Sequence, residues 1–562
     1  MTIERKVGMG IAGQPSGGAT DVAEVFSTYL YTGTGSAQTI TNGIDLAGEG
    51  GLVWSKNRGL TEDHCLTDTV RGAGNYLLSS ADNAQQTDGN IASFNSSGYV
   101  FTGNGRGNYN NYNYASFTFR KKSGFFDCLT YTGNQSIRTI SHGLDSPVGM
   151  LICKRTDTGG EWYVQHKDAA PNKELALQST NGLSSSTTNS TFNNTAATSS
   201  VFTLGSGGGT NATGGTYVAY LFADNSSEDA EDQMIKCGSF TGVGTGAVEV
   251  NLGWEPQFVI LKNTSRDGTD WLMQDTMRGM SHTGYNRLRP NTNSAENVTT
   301  SNFVVPTSTG FTLNNNGSNN YGQSGDQMIY AAIRSEMMIE PEAATDVFHV
   351  EVANNNGAPD ITTGFPVDMG IYTQRSRAGT DDTSVIDRIR GGFRRVVTNK
   401  TDVEGTLSSS QEFEFDHNNK VVNNHLTVST SSVHWLWKRA KGYMDAVAYT
   451  GSGSGDLTLA HSLGVTPELL LLRPRTTGDS YSGNWHVWHK SFGHNQTNSA
   501  LILNSNSALA YINPVWGFDS DTISPIIRGG GSGEHNKSTI PYIVHLFATL
   551  AGISKVGSYT GN

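Results

Sequence analysis

The side chains best suited to chemistry recur in fixed columns, and each column has to be weighed as a site. One begins on an aromatic or imidazole ring and ends four residues later on an acid or a histidine: His64 to Asp68, Trp162 to His166, Trp271 to Asp275 and Trp485 to His489. Asp68 with Arg71 and Asp275 with Arg278 are three residues apart and precede a glycine, and the fourth repeat keeps part of the pattern as Asp387–Arg388–Ile389–Arg390–Gly391. A histidine and an aspartate exchanging in one column do not suit a metal, because the remaining ligands do not travel with the exchange. They suit a strand-end hydrogen bond, and the Asp–Arg pairs suit a local turn contact, worth ~0–1 kcal/mol if exposed. Asp381 with Asp382, and Glu412 with Glu414, could form an acid–base couple for glycan cleavage, but nothing sets two carboxylates across a cleft. Gly103–Gly107 and Gly207–Gly209 have the composition of phosphate loops, yet no helix is expected after either, so turns are expected. The chain contains no G-x-S-x-G, H-E-x-x-H or P-loop pattern. No catalytic residue, metal ligand or cofactor is expected. The one candidate ligand contact is a glycan stacked on Tyr109, Tyr112 and Tyr114, whose plainer reading is an aromatic edge strand.

The elements that carry these columns repeat. An aromatic-Thr-Gly opening motif stands at Tyr31, Tyr131, Phe240, Tyr449 and Tyr559, at intervals of 100, 109, 209 and 110 residues. The double interval predicts a decayed opening motif near Val347–Val352. About twenty residues after each opening motif comes an apolar run closed by a polar residue: Lys56, Lys154, Lys262, Thr373 and Arg473. Such runs read as strands buried on both faces, with the terminal cation reaching water along its stem. Each unit closes on an aromatic strand, as in TYVAYLFA to Ala223 and PYIVHLFA to Ala548. Six to eight strands in about 105 residues is the size of a β-sandwich.

The expected fold is therefore all-β: about five antiparallel β-sandwich-like repeats in tandem, behind an extended N-terminal arm. The boundaries are an anchoring arm at 1–25 and repeats at 26–125, 126–230, 231–340, 341–440 (divergent) and 441–552. A further repeat starts at 553–562. The one helical candidate is short, around Ser384–Ile389. Junctions such as Phe119–Gly133 and Leu436–Gly451 are brief, so the modules should dock rigidly in series, each touching its neighbours. Asn225–Gln233 is acidic and is expected to be a looser junction.

Composition agrees. Of 562 residues 67 are glycine, and charged residues are 16%, which suits short strands and polar turns rather than disorder. A net charge of −12 without a basic patch argues against nucleic acid. Cys65, Cys128, Cys153 and Cys237 lack zinc spacing and are expected to be small buried residues. No apolar run is long enough for a membrane helix, and the N-terminus lacks a signal-peptide core. The protein is expected to stay in the cytosol until assembly carries it out.

The run YTGNQSIRTISHGLDSPVGMLICKRTD, then WYVQHK and TYVAYLFA, resembles the repeats of tail-fibre-type virion structural proteins of marine bacteriophages, cyanophages above all. TITNGIDLAGEGGLVWSKNRG with DTVRG is similar to the same group, and the likeness runs from about residue 26 onward. It implies a non-enzymatic tail fibre or fibre-like appendage, assembled in the host cytoplasm. Its partners would be tail or connector proteins bound through residues 1–25, sister copies in a homo-oligomer, and host surface glycan. The alternatives are a receptor-binding protein for host glycans and a capsid decoration protein.

Overall fold

The computed structural model describes residues 21–560 except 88–90, 186–189, 226–231, 283–284, 300–302, 317–320, 354–358, 376–381, 409–410, 425–430, 454–456, 477–482, 493–498, 508–509, 512–525 and 528–534. The anchoring arm, apart from residues 21–25, and most of the acidic junction lie outside the described residues. The chain is all-β and built from five antiparallel units. Unit 1 shows the plan. Its first strand, Phe26–Thr32, pairs with its closing strand, Asn113–Arg120. That strand pairs with the apolar run Gly51–Asn57, which pairs with Cys65–Asp68 and then Leu77–Leu78. A second small sheet joins Gln38–Thr41, Gly98–Phe101 and Ile91–Asn95. The same order, first-closing-third-fourth, returns in all five units. The decayed opening motif is the strand Phe348–Ala353, which occupies the first-strand place of unit 4.

The apolar runs are central strands, and burial follows. All seven residues of Gly51–Asn57 are buried, as are Val148–Lys154. The aromatic residue of the opening motif is explained at the same edge. Tyr31 pairs with and stacks on Tyr114 at 5.1 Å, Tyr131 on Tyr217 at 5.0 Å, and Tyr449 on Tyr542 at 4.9 Å. Each such pair adds ~0.5–1.5 kcal/mol beyond area burial. The motif's glycine allows a backbone approach that any side chain would block. A Cβ on Gly33, Gly133 or Gly451 would lie 2.3, 2.1 or 2.1 Å from the carbonyl oxygen of Tyr109, Ala212 or Lys537.

Two local expectations change. Ser384–Asp387 is a strand, because pairing with Met369–Tyr372 overrides its weak helical pattern. Gly208–Asn211 forms one helical turn rather than an open loop tip. That turn delivers the buried Asn211 side chain to the opening motif, where it accepts from Asn134 N and donates to Ser136 O.

The larger departure is in how units meet. Units 1 to 3 do not run in a simple series, since unit 3 returns to contact unit 1. Phe258 of unit 3 lies 5.4, 5.3 and 6.2 Å from Phe26, Phe117 and Phe119 of unit 1. One continuous apolar core draws on all three units. At its centre Trp54, Phe119, Met150, Phe222, Phe258 and Ile260 surround a cavity of about 10 Å³, scarcely room for one water. Residues from the sheets of all three units have thus been buried against one another in one shared core. Units 4 and 5 pack on this ring. Leu30 and Asn418 exchange hydrogen bonds, and Arg439 binds Glu255 with both terminal nitrogens at 2.9 and 3.0 Å.

Candidate functional site

The polar columns singled out in the sequence meet at the seams between units, not in a cleft. The indole Nε1 of Trp162 donates to Leu78 O of the preceding unit at 3.0 Å, that of Trp271 to Ala176 O at 3.2 Å, and that of Trp485 to Val397 O at 2.8 Å. Leu78, Ala176 and Val397 hold the same register position in their units. In unit 1 the tryptophan place is taken by His64, which is fully buried beside the backbone of Arg289 of unit 3. The seam pattern therefore closes on itself.

The strand-end cations follow the same rule, which corrects the expectation that they reach water. Lys56, Lys154, Lys262 and Arg473 are at most 1% exposed. Lys154 Nζ donates to Asp82 O at 3.3 Å, Lys262 Nζ to Thr180 O at 3.0 Å, and Lys56 Nζ to Asn293 O at 3.4 Å. Arg473 donates to Lys400 O at 2.7 Å and to Asp402 O. Asp82, Thr180 and Asn293 each lie four residues beyond the seam position. The neighbouring unit covers the strand end and offers main-chain carbonyls in place of water. Burial pushes all three lysines down to about 8.

The acid column is also absorbed, except at His489, which is half-exposed and hydrogen-bonds Ser491 Oγ of its own unit at 2.7 Å. Asp68 accepts from Tyr220 Oη of unit 2 at 2.7 Å, His166 Nε2 meets Tyr330 O of unit 3 at 3.1 Å, and His545 Nε2 meets Asp387 at 3.2 Å. Burial lowers His166 to about 4, so it is neutral and can donate from one ring nitrogen. The Asp–Arg pairs make the expected turn contact, with Arg71 N, Arg278 N and Arg390 N donating to Asp68, Asp275 and Asp387. They are not surface pairs. Arg278–Asp275 and Arg390–Asp387 are fully buried, at 2.5 and 2.6 Å.

A second polar cluster joins the two groups of units. Arg58 of unit 1 binds Glu296 of unit 3 at 2.7 Å and Asp416 of unit 4 at 2.6 Å. Burial would raise Asp416, but Arg58 more than offsets it and holds the carboxyl below its ordinary value. Glu412 is raised to about 8 by burial and by the adjacent Asp416 and Glu414 carboxylates. Glu414, Asp416 and His417 place their donor atoms within 4.8 Å of one another. They are the group among the described residues that could hold a cation. Asp416 is already engaged by Arg58, and Glu414 accepts from Asn424 Nδ2 at 2.6 Å. That engagement makes the cluster an inter-unit ion network first.

The three tyrosines do not form one exposed face. Tyr114 is fully buried, stacked on Tyr31, and its Oη accepts from Tyr109 N at 2.8 Å. Tyr109 packs partly under the unit 1 core, and Tyr112 alone is exposed, at 41%. Glu414 ends the strand Phe413–Glu414 and accepts from Asn424, Glu412 lies just before that strand, and Asp381 lies outside the described residues. The four cysteines are buried and unbridged.

Sequence reading missed one repeated residue. Asn108, Asn211 and Asn536 are buried, and each accepts from the main-chain N–H after the opening motif's glycine, at 2.8, 3.0 and 2.7 Å. Each stands six residues before the closing-strand tyrosine. That spacing was available as a signal, but asparagine is so common in this chain that it did not stand out.

These features define a class: a repetitive β-structural chain whose polar residues join unit to unit. The chain belongs to the family described as Domain of unknown function (DUF7483), matched over residues 21–336 and again over 343–562. The two matches divide the chain as the packing does, three units and then two. No curated protein and no solved structure matches the chain.

Proposed function

We propose that this protein is a structural, non-enzymatic component of a bacteriophage virion, a tail fibre or fibre-like appendage that projects β units from an N-terminal anchor in residues 1–25. One observation carries the structural half of this reading. The Asp–Arg pairs, the column histidine His166 and the strand-end lysines are spent on contacts within and between units, and they are buried. The virion half rests on the resemblance of the opening motif, apolar run and closing strand to tail-fibre-type repeats. A chain that builds one core from three of its own units suits an appendage that must stay rigid, because each seam fixes the next unit through both apolar packing and directed hydrogen bonds.

The test is location. Antibodies against units 1 to 3, applied to particles of a phage that encodes this chain, should label the tail in electron micrographs. A deletion of residues 1–20, which spares the buried core residues Val22 and Val25, should leave folded protein that no longer joins the particle. Absence of the chain from purified particles overturns the reading, and labelling confined to heads replaces it with a capsid decoration protein. Adsorption competed by purified chain would favour the receptor-binding alternative.

A further inference from the structure

Units 4 and 5 meet as units 1 and 2 do. Trp485 repeats the bond of Trp162, Arg473 repeats that of Lys154, and His545 on Asp387 repeats Tyr220 on Asp68. In the N-terminal ring a third unit then closes on both. In the C-terminal pair no described residue fills that place, and the surfaces facing it are apolar.

Comparison by register position makes this plain. The inward residue of the first strand is Thr28, Cys128 and Cys237 in units 1 to 3, exposed by 8, 0 and 1%. Its counterpart in unit 4 is Val350, exposed by 47%. On the other side of the gap, Leu175 and Leu177 of unit 2 are buried under unit 3, whereas their counterparts Leu501 and Leu503 in unit 5 are 38 and 47% exposed. The axial positions agree: Trp437, Ile371, Leu471 and Phe547 are only partly buried, where Phe119, Trp54, Ile152 and Phe222 are buried. An apolar face of this kind on two adjoining sheets signals a missing partner.

The chain is already turned toward that place. At the junction into unit 2, Lys122 and Phe126 form an isolated two-residue bridge around Gly124, whose φ is 75°. At the junction into unit 5, Ala440 and Met444 do the same around Gly442, φ 72°. After unit 5 the turn forms a third time, with Leu550 bridging Ser554 around Gly552, φ 78°. In each case the tyrosine of the next opening motif follows Phe126, Met444 or Ser554 by five residues: Tyr131, Tyr449 and Tyr559. Tyr559 is 95% exposed, without the closing-strand tyrosine on which Tyr131 and Tyr449 stack.

We propose that units 4 and 5 are two members of a second three-membered ring, and that the open place takes a sixth unit of the same repeat, led in by the Tyr559–Thr560–Gly561 motif. Unit 4 has Thr373 and Thr383 where the other units have a strand-end cation and a seam tryptophan or, in unit 1, His64. The seam between the sixth unit and unit 4 therefore rests on apolar packing against Phe348, Val350, Trp435 and Trp437, and the seam with unit 5 on Leu501 and Leu503. This inference does not depend on the virion reading.

The test compares the 562-residue chain with the same chain extended after Gly561 by residues 243–340, the body of unit 3, which fills the corresponding place in the first ring. A Leu503→Cys thiol should react readily with a maleimide in the 562-residue chain and at least tenfold more slowly in the extended one. Unchanged labelling in a folded extended chain overturns the proposal. Hydrogen exchange on the 562-residue chain gives a reading that needs no extension. The strands Phe348–Ala353 and Ser499–Ile502 should exchange at least tenfold faster than Phe26–Thr32 and Lys173–Ala176. Equal protection means the face is already covered and overturns the proposal. Protection that grows with protein concentration identifies a second copy as the cover, and also overturns it.

Discussion

Replacing Arg278 with methionine isolates what a buried seam charge does. The guanidinium is fully buried, bound to Asp275 at 2.5 Å and to Glu296 at 2.8 Å, with its carbon 5.4 Å from the Phe117 ring centre of unit 1. Methionine keeps much of the volume and removes the charge. Glu296 retains Arg58 at 2.7 Å, so the group left exposed to the change is Asp275, which has no solvent access. Stripping one partner from a buried pair costs about 3–5 kcal/mol. Adding Asp275→Leu removes the stranded carboxylate. The double variant then lacks the acceptor for the main-chain N–H of residue 278 and the guanidinium donors to Met273 O and Asn286 O, and should recover to a deficit of about 1–2 kcal/mol. Guanidinium titration followed by tryptophan emission reads both, since Trp54 and Trp271 lie in the same core. A single variant that loses less than about 1 kcal/mol would refute the reasoning. So would a double variant as unstable as the single one, because packing rather than an unpaired charge would then carry the cost.

Other outcomes follow from the same geometry. Lys56, Lys154 and Lys262 sit near 8 when folded and near 10.5 when unfolded, so between those values the unfolded chain holds more protons and stability rises with pH. From pH 8 to pH 9 each should contribute about 1 kcal/mol, and a Lys154→Met variant should show a shallower rise in urea midpoints over that interval. Above pH 9 the buried thiols of Cys128 and Cys237, raised by burial, oppose the trend, because the unfolded chain ionises them first. Gly133→Ala should be strongly destabilising in thermal melts, since its Cβ would lie 2.1 Å from Ala212 O, whereas Gly103→Ala meets nothing within 4 Å and should be neutral. Tyr114→Phe should cost about 1–3 kcal/mol by leaving Tyr109 N without its acceptor, while Tyr112→Ala, at an exposed ring, should leave the melting temperature unchanged.

The sequence alone determined the fold class, the repeat and most of each unit. The reason is that a strand's burial is written in a period of two, and the opening motif, apolar run and closing strand are local patterns a few residues long. The stacked tyrosines of the opening motifs and the glycine beneath them needed no knowledge of other units, and even the eroded motif of unit 4 fell where spacing placed it. What the tertiary structure decided is where the polar ends of those strands go. A lysine closing an apolar run looks like a residue bound for water until a neighbouring unit covers it and supplies Asp82, Thr180 or Asn293 carbonyls. Asp275 with Arg278 looks like a surface pair until unit 1 seals it beneath Phe117. Tyr114 looks like a ligand platform until Tyr31 lies across it. These outcomes depend on contacts between residues about 70 to 240 positions apart, such as Lys154 with Asp82 and Lys56 with Asn293. No window of sequence contains both partners, so closure of three units into a ring belongs to packing and not to pattern.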